Sequence, residues 1–165
     1  MQEVLTIKLA KEITKENYYL PCDAIKLFSG DVSEEVYIDN VKDICVNEKA
    51  PEQVREMFEV AKALYVYGYL YWTFFTISFE QSLKSWEVAI TMKLNEVNIQ
   101  RMPRKLINKI NALEEMDIIS SDEKELFHYV RLFRNGLAHP DYQSQLGHNN
   151  RLLISVANQI NLLYK

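Results

Sequence analysis

Arg134 and His139 lie five positions apart in the stretch RLFRNGLAHPD, residues 131–141. Their types suit phosphodiester chemistry. A guanidinium presents a planar fork of donors that matches phosphate oxygens and keeps its charge at any physiological pH. A histidine titrates near neutrality, so it can take or give a proton. Asn135 between them can orient either group or donate to a phosphate oxygen. Such a set could promote attack of a ribose 2′-hydroxyl on the adjacent phosphodiester without a metal ion. The imidazole would take the hydroxyl proton and the guanidinium would hold the charge building at phosphorus. A second proton must reach the leaving 5′-oxygen, and a two-fold dimer would bring a second histidine face to face with the first.

The same letters also describe how a helix stops. Asn-Gly followed by Pro ends helices, and Arg or His near a C-terminus favours the helix dipole. Arg-x4-His is short enough to arise by chance. From residue chemistry alone, both readings stand.

The element carrying these residues is read as a helix through SDEKELFHYVRLFRN, opened by the capping box Ser120-Ser-Asp-Glu123. At about 100° per residue, Leu126, Val130, Phe133 and Leu137 fall within roughly 60° and form the expected core face. His128, Arg131, Asn135 and His139 share an opposite polar stripe, with Arg134 between the two, nearer Phe127. The motif is therefore expected to face solvent, a ligand or a second subunit.

Around this helix the chain reads as all-α. Helix formers dominate the 165 residues, and Gly and Pro are sparse at four each. Pro51 opens a pattern that runs to residue 97, read as one very long aromatic helix or two nearly collinear ones bent near Gly68. Pro103 starts PRKLINKINALEEM, with Leu106, Ile110 and Leu113 at core spacing. The last helix is RLLISVANQINLLY. Residues 1–50 are read as a mainly helical N-terminal extension of open packing. Within it, Asp31-Val-Ser-Glu34 resembles a capping box opening a helix to about Cys45, with Tyr37, Val41 and Ile44 on one face. Residues 51–165 form the bundle.

Charge narrows the partner classes. The formal net charge is −4, and the excess acid lies in residues 1–59. A general nucleic-acid coat would be strongly basic, so contact with RNA must be local. One local excess of base exists: Lys84, Lys93, Arg101, Arg104, Lys105 and Lys109 stand against Glu87 and Glu96. It reads either as a steering surface for RNA or as a solvated helix face. Cys22 and Cys45 form no CxxC pair, and the N-terminus is charged from its third residue. Both fit two inert thiols in a reducing cytoplasm. The uncharged run ALYVYGYLYWTFFTISF, residues 63–79, is at the short limit for a membrane span and crowded with Tyr, so it reads as buried core. His128, His139, His148 and Asp141 match no usual metal-ligand spacing, and no metal or cofactor is expected.

The order of these pieces resembles the HEPN family of small helical domains. The resemblance rests on a long aromatic helix ending FEQSLKSWE, then LINKINALEEMDII, then a capped helix leading into LFRNGLAHP, and it covers about residues 57–163. It implies an antiparallel helical bundle that dimerises through the motif face. It also implies metal-independent endoribonuclease activity, often in toxin–antitoxin or antiviral defence systems. On this resemblance Arg134 would stabilise the phosphate, His139 would act as acid and base, and Asn135 would position them. Arg131 and His128 share the stripe as candidate RNA contacts, and Glu80 on the long helix is a candidate brace for an arginine across the bundle. The partners implied are RNA, a second copy of the chain, and an antitoxin or other protein. The competing expectation is a non-catalytic HEPN module that binds RNA or a protein through the same face. A membrane-associated role for residues 63–79 is the third.

Overall fold

The computed structural model describes residues 11–30, 32–137 and 147–165. Among them are seven helices and no strand: α1 (Asp23–Ser29), α2 (Glu34–Lys42), α3 (Glu52–Tyr67), α4 (Thr73–Glu96), α5 (Leu106–Glu115), α6 (Ser121–Leu137) and α7 (Arg151–Leu163). The chain is an all-α bundle.

The expectation of one long or gently bent aromatic helix is corrected. The uncharged run breaks at residues 68–72, and α3 and α4 fold back on each other as an antiparallel hairpin. Pairings across the seam show the direction. Ser78 Oγ donates to the Ala61 carbonyl at 2.6 Å, Gln81 Nε2 to the Met57 carbonyl at 3.3 Å, and the Tyr65 ring meets Phe75 at 5.1 Å. Gly68 makes the reversal fit, because a Cβ there would stand 2.5 Å from the Phe75 ring. Ser78, Ser82 and Ser85 are fully buried on α4, and their small side chains return hydrogen bonds to nearby carbonyls. The hairpin buries Tyr65, Gly68, Trp72, Phe75, Ser78 and Phe79 of the run and half-buries most of the rest. Among the described residues no helix is long and apolar enough to cross a membrane.

Helices α5, α6 and α7 pack on α4, and α2 packs on α3. Helix α7 runs parallel to α4: Leu152 shares a groove with Phe79, and at the other end Tyr164 Oη donates to the Ala89 carbonyl at 2.9 Å. Two tight turns set α5 and α6. Asn98 and Asp117 adopt φ of 55°, and the following amides, Ile99 and Ile118, reach back to Leu94 and Leu113 at 3.2 and 2.9 Å. Both are Schellman-type stops, in which a left-handed residue lets the chain satisfy the last helical carbonyls. The capping box then opens α6 as expected. Ser120 N donates to Glu123 Oε2 at 2.7 Å, and Glu123 N donates to Ser120 Oγ at 3.2 Å.

The N-terminal residues join the same core from Cys22 onward. Cys22 N donates to the Tyr69 carbonyl at 3.1 Å. Tyr37 packs its ring against Tyr65, Tyr69 and Phe75. Asn47 N donates to Asn161 Oδ1, Asn161 Nδ2 to the Cys45 carbonyl and Asn47 Nδ2 to the Tyr164 carbonyl, which ties residues 45–47 to α7 and the chain end. Tyr37, Val41 and Ile44 are buried as the spacing predicts, but α2 ends at Lys42. Its cap is Ser33, without a side-chain bond, and Asp31 lies outside the described residues.

Candidate functional site at the end of α6

Helix α6 is held by one deep anchor. Phe127 is fully buried and packs on Trp86 of α4 with ring centroids 5.8 Å apart. Val130 is fully buried beside it. Gln159 of α7 donates to the Leu126 carbonyl at 2.9 Å, which fixes the outer edge.

This anchoring corrects the expected core face in part: Val130 is buried and Leu137 packs against the core as expected. Leu126 is 56 % exposed and Phe133 37 %, whereas Phe127 and Val130 are the buried pair. The apolar residues of α6, Leu132 through Phe127 by way of Tyr129, cover well over half of the wheel. Periodicity points to the middle of that arc, but the bundle uses one end. The other end, Leu126, Tyr129, Leu132 and Phe133, is left as an exposed apolar strip.

The rotation turns Arg134 toward α4. Its Nη2 lies 3.1 Å from Glu87 Oε2, with both side chains more than a third exposed. The pair forms one wall of a cleft of about 240 Å³ whose other lining residues are Glu80, Leu83, Lys84 and Leu137. Glu80, read as a brace for an arginine, therefore lines the cleft, but the carboxylate on Arg134 is Glu87, two turns along the same face of α4. Lys84 between them is exposed, and the four charged groups of the cleft balance. Asn135 is exposed on the next position of α6. His139 lies outside the described residues, as does Asp141.

Arg134 stands off the polar stripe toward Phe127 and α4, as the wheel places it, while His128 of the stripe meets α5. His128 Nε2 is 3.2 Å from Asn111 Oδ1, and Arg131 Nε donates to His128 Nδ1 at 3.3 Å. Both contacts are satisfied by a neutral ring protonated on Nε2. Burial and then the Arg131 charge hold His128 below its ordinary value, with Lys124 adding to the effect and Glu125 and Glu114 opposing it. A lowered folded value means the unfolded chain binds the proton more readily. The contribution is present in full above about pH 6.5 and is lost as pH falls through the folded value. The urea midpoint of the wild type is expected to drop between pH 7.5 and 5.5, and His128→Gln to flatten that dependence. Equal slopes would show that another group titrates there.

His148 is placed elsewhere, in the aromatic cluster. Its ring meets Trp72 at 5.7 Å and Tyr37 at 6.2 Å, and Tyr65 Oη donates to its backbone carbonyl. It shares no site with His128. Among the described residues no group of three His, Cys, Asp or Glu side chains could hold a metal ion.

Sequence reasoning missed Glu87 as the arginine's partner. Its signal was the i, i+7 relation to Glu80, which places both acids on one stripe of α4.

No curated protein and no solved structure matches the chain. Residues 78–165 match a family described as a domain of unknown function, DUF4145. That span runs from the first turns of α4 to the C-terminus and contains every candidate site residue named above. The chain belongs to the DUF4145 family.

Proposed function

We propose that this protein is a HEPN-type endoribonuclease, independent of metal ions, that works as a homodimer in the cytoplasm. The observation that carries the reading is the state of Arg134. Its side chain is 41 % exposed beside a cleft, and among the described residues Glu87 is the one carboxylate on the guanidinium. The remaining donors of the fork suit a phosphate.

In the reaction, the 2′-oxygen of a ribose attacks the adjacent phosphorus. The new O2′–P bond forms as the P–O5′ bond breaks, leaving a 2′,3′-cyclic phosphate and a 5′-hydroxyl. His139 takes the proton from the 2′-hydroxyl, Arg134 stabilises the negative charge of the phosphorane-like transition state, and Asn135 positions the phosphate. The partner subunit's His139 returns a proton to O5′. Toxin–antitoxin or antiviral defence is the setting that the HEPN resemblance suggests.

A second reading draws on a different observation. The strip Leu126, Tyr129, Leu132 and Phe133 is apolar and exposed next to the motif, as suits a module that docks a protein partner without cutting RNA. End-group analysis separates the two. Incubation of RNA with the purified protein in EDTA should yield fragments ending in 2′,3′-cyclic phosphate. Intact RNA with a well-folded dimer would favour the docking module, and fragments ending in 3′-hydroxyl would reject the proposed chemistry.

A further inference from the structure

A second cleft, of about 680 Å³, opens where the turn after α4 meets α5, and Arg101, Arg104, Asn108, Asn111 and Glu115 give it its polar lining. Neither guanidinium has a carboxylate partner among the described residues, although six ion pairs form elsewhere. Between Glu96 and Glu114 the sequence places Arg101, Arg104, Lys105 and Lys109 with no acid. In a chain with a net charge of −4, this is a local reversal of sign.

The arginines sit on an anchored turn. Asn98 fixes its start in the left-handed region, the Ile99 amide is bonded to Leu94, and Ile99 and Met102 pack against the core. Helix α5 begins beside the cleft without a side-chain cap, its positive dipole end near the arginines. At the back wall Asn111 is tied to His128, and His128 to Arg131, one turn before Arg134. A line of polar side chains thus leads from the cleft across the α5–α6 seam toward the candidate site.

We propose that the Arg101/Arg104 cleft binds phosphate groups of an RNA strand that extends to Arg134. The proposal rests on RNA as the ligand of this face, and not on its being cut. Planar forks recognise phosphate oxygens in pairs of hydrogen bonds, and such contacts fix the position of a strand without reading its bases. Glu115, the acid of the lining, opposes this binding.

The test is the affinity of a labelled 2′-O-methyl RNA oligomer, which lacks the attacking hydroxyl and so cannot be cut. Binding is measured across a salt series for the wild type, for Arg101→Ala/Arg104→Ala and for Glu115→Gln. For a single strand, each neutralised phosphate contributes about 0.7 to the slope of log affinity against log salt, so the double variant should lower the slope by about 1.4. Glu115→Gln should tighten binding, a gain that misfolding cannot mimic. Unchanged slope and affinity in both variants, or no binding by the wild type, overturns the cleft. Cleavage of ordinary RNA by the wild type alongside unchanged binding in the variants would remove this proposal and leave the nuclease standing. Slope loss without any cleavage would do the reverse.

Discussion

Arg134→Ala is expected to lower RNA cleavage by about 10²- to 10³-fold, the scale of losing one preorganised donor from a charged transition state. Stability should barely move. The Arg134–Glu87 pair is more than a third exposed on both sides, and pairs of that kind contribute roughly 0–1 kcal/mol. Arg134→Lys distinguishes charge from shape. An ammonium keeps the charge but cannot present two parallel donors to a phosphate, so the variant should recover only part of the loss. Matched urea unfolding curves for all three proteins keep a folding defect from being taken for a chemical one. Full activity in Arg134→Ala would remove the guanidinium from the reaction.

Phe127→Ala should be the most damaging change in the site helix. Phe127 is fully buried against Trp86, and truncating such an aromatic costs about 3–5 kcal/mol. A domain's whole stability is about 5–15 kcal/mol, so the melting temperature should fall by on the order of 10 °C. Tyr129, two positions on, is 68 % exposed, and Tyr129→Ala should stay within about 0.5 kcal/mol of the wild type. The contrast checks the rotation of α6 directly. A core face centred on Leu126 and Phe133 would instead make Leu126→Ala the costly change, and thermal unfolding of the three variants decides between the two orientations.

Local signals were legible in the sequence. Ser120 and Glu123 form their reciprocal cap, Ile110 and Leu113 are buried, and Tyr37, Val41 and Ile44 line one face. These depend on residues three or four apart, where helix geometry alone decides. What escaped depends on contacts far along the chain. The α3–α4 hairpin turns inside an uncharged run, so no polar residue marks the reversal, and Gly68 reveals its role only against Phe75. The packing of residues 22–50 hangs on pairs such as Cys22 with Tyr69 and Asn47 with Asn161. In α6 the apolar arc was too wide for periodicity to choose its buried edge. Likewise, Glu80 and Glu87 share one face of α4, but which of them meets Arg134 depends on where α6 crosses.

The central claim is that phosphodiester chemistry is done by the Arg134/His139 motif. Its most direct test is RNA cleavage in EDTA by the wild type beside His139→Ala, with dimerisation of both measured by sedimentation. The account predicts cleavage by the wild type and a loss of about 10²- to 10⁴-fold in the variant, the range for a positioned acid–base group, with dimers intact in both. Equal cleavage by the two dimers would contradict it.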